Sequence, residues 1–287
     1  MSREADGKIR SIAQRKLFLN NGVELAYYDS HSEDGGAEDG ISEVVVLLHG
    51  YCGGSAYWEH IAEELEQSVR LIAPDLRGHG LSSAPNDEVY SMELYAEDIA
   101  HMLIQLQLHN VILLGHSFGG YITLAFAEKY EKKLSGFGLI HSTPLEDSDA
   151  ARQNRDKAVA ALEENGVQAF VDGLVPKLFA PANLETMREE VELAKQIGYG
   201  TALQGAIGTA KGMKARANRT RVIENTNLPV LLVSGANDKL IPAENTFAAG
   251  NGATVKTRLE SAGHMGMIEQ PKELAATILD FVKKIRV

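Results

Sequence analysis

Leu113-Leu114-Gly115-His116-Ser117-Phe118-Gly119-Gly120 reads as the end of a strand, a sharp turn and the start of a helix. The apolar run 111–114 leads into it, and Tyr121, Leu124, Ala125 and Phe126 follow at helical spacing. Gly115 and Gly119 stand two positions to either side of Ser117. Small residues there let the backbone reverse so tightly that the central side chain is pushed into a strained, presented position. Ser117 therefore reads as a nucleophile. A serine hydroxyl is nearly inert at neutral pH, so chemistry also requires a base and an orienting carboxylate. Glycine-rich turns after strands also arise by chance, and the strand before and helix after are what favour the catalytic reading. No Gly-Lys-Ser/Thr follows, and the glycine-rich stretch 50–54 lacks that lysine too, so neither reads as a phosphate loop.

Outward from the turn, the same apolar, β-branched texture recurs at 44–48, 69–73, 137–140, 230–233 and 255–259. Continuous apolar strands are what a parallel sheet covered on both faces requires. Helical patterns at 58–66, 92–106, 121–132 and 272–285 supply crossovers. A hairpin over 17–19 and 23–28, turning at Asn20-Asn21-Gly22, opens the fold after a loose arm. A polar loop at 31–42 follows it. The expectation is an α/β fold with a mostly parallel, doubly wound, eight-stranded sheet and no internal repeat.

The alternation breaks once. Residues 144–226 carry helical texture at 151–164, 167–178, 184–197 and 201–217, with no convincing strand. This predicts a helical cap at 144–226 inserted into a core of 1–143 and 227–287. The charge runs Arg152, Arg155, Asp156, Lys157 and Arg188, Glu189, Glu190, Glu192 read as solvated faces. Phe170, Leu174, Phe179 and Met187 are candidate pocket walls, although for any single one the cap's own packing is the favoured reading.

Ligands of an open α/β sheet bind beyond the carboxyl ends of its strands, so the partners of Ser117 should follow other strands. Ser234-Gly235-Ala236-Asn237-Asp238 and Glu260-Ser261-Ala262-Gly263-His264 do so. Asp238 would accept from the ring of His264, and His264 would take the Ser117 proton. His141 ends the 137–140 strand and is the closest rival, a candidate substrate contact without an evident carboxylate in its own loop. His31, His60, His101 and His109 read as surface or packing residues. A tetrahedral intermediate needs rigid backbone donors, and the N–H groups of Phe118 and Tyr51 are best placed. Cys52 reads as a small packing residue.

The formal net charge of −11 argues against nucleic acid or an anionic membrane as partner, leaving a small molecule. One cysteine excludes an internal disulfide, and no Cys/His spacing suggests zinc, so neither metal nor cofactor is expected. Residues 1–14 are charged without an apolar leader core, and the longest apolar runs are strand-sized. The expected location is the cytoplasm. Oligomeric state is not legible.

His49-Gly50, the stretch from Pro74 through Arg77-Gly78-His79-Gly80 to Ser82, the Ser117 turn, Gly235 to Asp238 and Gly263-His264, in that order, resemble the motif series of the α/β-hydrolase superfamily. The resemblance implies Ser117, Asp238 and His264 as triad, Tyr51 and Phe118 as oxyanion donors, a mainly structural Arg77-Gly78-His79-Gly80 turn and a helical lid. Within the superfamily the chain is similar to small esterases, enol-lactonases and cofactor-free haloperoxidase-like enzymes. Dehalogenating and epoxide-opening relatives carry aspartate where Ser117 stands. The function implied is hydrolysis of a small carboxylic ester or lactone through an acyl-enzyme. Alternatives are carbon-carbon bond hydrolysis, peroxide-dependent acyl transfer or aminopeptidase action on the same triad, and a signalling receptor built on the same pocket.

Overall fold

A computed structural model describes residues 10–31 and 43–285. The expected loop at 31–42, His31 apart, and most of the expected N-terminal arm lie outside the described residues. Eight strands form one sheet: β1 (Arg15–Phe18), β2 (Glu24–Asp29), β3 (Val44–Leu48), β4 (Arg70–Pro74), β5 (Val111–His116), β6 (Leu134–Ile140), β7 (Val230–Gly235) and β8 (Thr254–Leu259). Their order is β1-β2-β4-β3-β5-β6-β7-β8. β1 and β2 pair antiparallel, as the Asn-Asn-Gly turn implies, and β2 adds antiparallel to β4. Every pair from β4 to β8 is parallel.

The helices are α1 (Glu59–Glu66), α2 (Met92–Gln105), α3 (Phe118–Tyr130), α4 (Asp149–Leu174), α5 (Asn183–Thr186), α6 (Arg188–Tyr199), α7 (Leu203–Ala215), α8 (Thr220–Asn225), α9 (Ala243–Thr246), α10 (Gly266–Glu269) and α11 (Pro271–Ile285). Their starts follow local chemistry. The Ser91 hydroxyl accepts from Leu94 N–H to cap α2, and Ser148 accepts from Ala151 N–H to cap α4. Along β3, Val45 and Leu47 turn to one face and Val46 and Leu48 to the other, so this central strand feeds two cores. Trp58, Ile61, Ile278 and Phe281 cover the first face, and Tyr95, Ile99, Ile122 and Phe126 cover the second. Burying each such side chain contributes about 1.5–3 kcal/mol.

The helices expected at 151–164 and 167–178 are both present within the span of α4 and are separated at Gly166, whose φ of 75° and ψ of 176° are non-helical and cheap only for glycine. A 3-10 turn from Val175 to Lys177 completes the segment. Helices α4 to α8 all lie between β6 and β7, where the alternation of the sheet is interrupted.

The register brings the catalytic candidates to one edge. Leu48 pairs with Gly115, His116 with Ile140, Ile140 with Val233 and Gly235 with Leu259, so the loops after β3, β5, β6, β7 and β8 all emerge together. β4 and β5 flank β3 on opposite sides, which makes the β3/β5 crevice the place where an open sheet of this kind accepts a ligand.

Candidate active site

Ser117 sits at φ 51°, ψ −114°, a costly backbone for a residue with a Cβ. The flanking glycines explain how the turn closes. A Cβ on Gly115 would lie 2.2 Å from the carbonyl of Gly119, and one on Gly119 would lie 2.4 Å from the carbonyl oxygen of Leu48. Ser117 N–H donates to Ile140 O at 2.9 Å, and Ser142 Oγ donates to Ser117 O at 2.6 Å. From residue 111 to 127 every residue is buried except Ser117. The turn lifts one hydroxyl-bearing residue out of a sealed core.

Asp238 and His264 are joined directly, with His264 Nδ1 2.7 Å from Asp238 Oδ2. The other carboxylate oxygen accepts from Leu240 N–H at 2.9 Å and Ile241 N–H at 3.0 Å. Burial would raise the Asp238 pKa, but His264 and His141 outweigh it and hold the carboxyl well below the usual range. An ionised Asp238 only accepts, so the His264 proton resides on Nδ1 and the lone pair of Nε2 is left for a base.

Ser117 and His264 share no side-chain hydrogen bond; bonds of this kind often tighten only when substrate is present. Their connection runs through His116. Its ring centroid lies 5.0 Å from that of His264, and its Nε2 donates to His264 O at 2.8 Å. Burial, reinforced by His264 and His141, holds the His116 pKa well below the usual histidine value, so this donor is neutral.

His141 is wholly buried at φ 47°, its Nδ1 3.7 Å from Asp238 Oδ2. The sequence shows no evident carboxylate orienter in its own loop, where Glu146 and Asp147 come late; the structure supplies Asp238 from the loop after β7. A Cβ on Gly266 would meet His141 Nε2 at 2.3 Å, so the ring is walled in on that side.

The turn after β3 is equally fixed. Leu76 N–H donates to His49 Nε2 at 2.9 Å, so His49 Nδ1 carries the proton and donates to Gly50 O at 2.8 Å. Gly53 N–H donates to the same carbonyl at 3.1 Å. Phe118, opening α3, has an N–H with no carbonyl four residues back in its own helix. Its ring stacks on His79 at 5.9 Å, and His79 also contacts the rings of His49 and Tyr51. Arg77 grips Asp98 with Nε and Nη2 at 2.7 and 2.8 Å, and Gly78 and Gly80 take positive φ. These contacts give the Arg77-Gly78-His79-Gly80 turn a packing task against the rings of Phe118 and Tyr51.

Of the candidate wall residues, half-buried Phe170 packs against Tyr51 with ring centroids 5.9 Å apart. Leu174 and Met187 are half-buried and Phe179 is buried.

Two groups escaped the sequence reading. Glu269, in α10, accepts from Gly263 N–H at 2.8 Å and Met265 N–H at 3.1 Å through Oε2, on either side of His264. Its Oε1 accepts from Ala180 N–H at 2.7 Å and Asn183 Nδ2 at 2.8 Å, and His264 N–H donates to Leu178 O at 2.7 Å. Arg155, read as part of a solvated face, instead donates from Nε to buried Asp147 at 3.0 Å, with a quarter of its side chain exposed. The apolar spacing of α4 could not distinguish it from its exposed neighbours Arg152 and Asp156, because Asp147 lies before the helix begins.

A family model described as alpha/beta hydrolase fold matches residues 43–271. Among curated proteins, 2-(acetamidomethylene)succinate hydrolase of Mesorhizobium japonicum is 31% identical over 213 residues, 72% of this chain and 75% of that protein. Among solved structures, a thermophilic esterase from Thermogutta terrifontis with malate bound superposes with a TM-score of 0.86 at 28% identity, over 95% of this chain and 99% of that one. The enol-lactonase from Burkholderia xenovorans LB400 shares the fold at a TM-score of 0.84 and 21% identity, over 94% and 100%. No helix among the described residues is long and apolar enough to cross a membrane. The parallel sheet, the strained serine turn at its edge and the matched residues agree: this chain belongs to the α/β-hydrolase fold family.

Proposed function

We propose that the chain is a serine hydrolase that cleaves a small carboxylic ester or lactone, with Ser117 as nucleophile, His264 as general base and Asp238 as its orienter. The observation that carries this reading is the 2.7 Å bond from His264 Nδ1 to Asp238 Oδ2, at the sheet edge where strained Ser117 is the one residue of its segment open to solvent. In the first half-reaction Nε2 of His264 takes the Ser117 proton as Oγ attacks the carbonyl. The N–H groups of Tyr51 and Phe118 receive the oxyanion, and His264 returns the proton to the departing alkoxide. Water, activated by the same nitrogen, then releases the acid. Residues 144–226 act as a cap that shapes the acyl pocket, with Phe170 beside Tyr51 as its best-supported wall. The natural ligand is a small molecule, and the buried free thiol of Cys52 fits a cytoplasmic setting.

The test is a panel of aryl esters, lactones, diketones and aminoacyl amides, run with a fluorophosphonate probe and mass spectrometry of the adduct. A pre-steady-state burst on aryl esters with the adduct on Ser117 is expected. Labelling elsewhere, or tight binding without turnover, would reject the hydrolase reading in favour of a receptor.

A further inference from the structure

Asp147, in the segment between β6 and α4, is 5% exposed and carries two guanidinium groups. Its Oδ2 accepts from Arg155 Nε of α4 and its Oδ1 from Arg216 Nη1, just after α7. Arg216 is largely spent on protein: Nε donates to Leu145 O at 3.2 Å, Nη1 also donates to Met213 O at 3.0 Å, and its guanidinium lies 3.9 Å from the centroid of the Tyr121 ring. Arg155 is not spent. Only its Nε is bonded among the described residues, and neither terminal nitrogen is sealed from solvent.

Two cations on one buried carboxylate leave one positive charge in excess, in a chain whose net charge is −11. The place of that excess is specific. Arg155 lies within electrostatic reach of Tyr121, Asp147 and Tyr51. Tyr121 is four residues beyond Ser117, about one turn into α3. Tyr51 carries one of the two proposed oxyanion donors. Arg155 is thus tied through Asp147 to the Arg216 guanidinium that covers the Tyr121 ring, beside the helix that follows Ser117. A guanidinium held by Nε presents Nη1 and Nη2 to a planar anion, and a single excess charge balances a carboxylate, not a phosphate dianion.

We propose that Arg155 is a substrate-binding residue, and that the preferred substrate is an ester or lactone bearing a second, ionised carboxylate. The inference rests on the Ser117 hydrolase reading and specifies its substrate class. Asp147 fixes the guanidinium, Arg216 holds Asp147 in place, and the carboxylate of the substrate docks on the free fork while its ester carbonyl reaches Ser117.

The experiment compares 4-nitrophenyl butyrate with 4-nitrophenyl hydrogen glutarate, in wild type and in Arg155→Gln and Arg155→Lys. The readout is the ratio of kcat/KM values, acidic over neutral ester. Wild type should favour the acidic ester by about tenfold or more, and Arg155→Gln should lower that ratio about 10- to 100-fold, chiefly through KM. Arg155→Lys, which keeps the charge but not the fork, should fall between. A wild-type ratio near 1, or equal loss on both esters in Arg155→Gln, overturns the proposal while leaving Ser117 labelling and neutral-ester turnover as support for the hydrolase. Should neither ester turn over, calorimetry with monomethyl glutarate answers the same question: weaker binding to Arg155→Gln than to wild type supports the carboxylate site, and equal or absent binding rejects it.

Discussion

Cys52 combines a backbone at φ 51° with a thiol that has no exposure at all. Burial pushes its pKa up to about 12, against the smaller lowering effects of Tyr51 and Thr201. A thiol that is neutral at pH 8 and walled off has no nucleophilic role. Native protein should therefore leave 5,5′-dithiobis(2-nitrobenzoate) unreacted while denatured protein releases one equivalent, and Cys52→Ala should keep most of the proposed ester turnover. Rapid reaction of the native thiol would contradict the sealed site. Ser117 differs in kind: it has the same positive φ but an accessible side chain. If Ser117, His264 and Asp238 act as the proposed unit, Ser117→Ala and His264→Ala should each lower kcat by roughly 10⁴–10⁶, the double variant by little more, and Asp238→Asn by somewhat less. Additive losses in the double variant would show that the two residues do not act in one step.

At the level of elements, Glu269 joins α10 to the loop after β8 and to the segment that runs into α5. Four N–H donors converge on one carboxylate, two of them flanking His264 and two from residues 180–183. Glutamine offers a single acceptor oxygen and turns an NH₂ toward the other pair of donors. Glu269→Gln should therefore loosen the His264 loop, lowering kcat about 10- to 100-fold with little change in KM, and slowing fluorophosphonate labelling of Ser117 in parallel. A loss of melting temperature with kcat within about twofold of wild type would reduce Glu269 to a structural strut. This seam also marks where sequence reading stops. The Ser117 turn, the parallel strands and the Asp238 and His264 loops were legible because their signals are local: apolar runs, paired glycines and a polar residue just past a strand. Glu269 to Ala180 spans 89 residues and Asp147 to Arg216 spans 69, and no periodicity encodes such pairs. Gly166 was legible for the same local reason, since a glycine between two helical patterns marks the break that its backbone makes.

Across the whole molecule, four buried histidines have their pKa values lowered, and their effect is collective. Burial lowers His49 to about 4 and His79 to about 3, the latter with help from His49. His116 is held well below the ordinary value by burial and by His264 and His141, and burial lowers His141 despite the opposing pull of Asp238. In the unfolded chain each returns to about 6.5. Between the folded and unfolded values the unfolded chain binds more protons, so stability falls as pH drops below about 6.5 and is fully present above it. His49 and His79 alone each forgo roughly 3 kcal/mol by pH 4, at about 1.4 kcal/mol per unit, a large share of the 5–15 kcal/mol by which a domain is stable. Asp238 has the usual carboxylate sign: its contribution is intact above about pH 4 and disappears only in stronger acid, too late to explain a loss that starts near 6.5. The melting temperature should thus be flat from pH 7 to 9 and fall steeply below about 6.5, with acid unfolding complete by about pH 4. Unfolding by urea at pH 5.5 should take up at least roughly two to three protons, and His79→Gln should take up about one fewer even if it melts lower at pH 8. The sequence pI near 5.3 brings the net charge through zero in the same range, so light scattering must accompany the fluorescence. A melting temperature unchanged down to pH 4.5, or unfolding without proton uptake, would mean that these rings are charged or solvated in the folded protein.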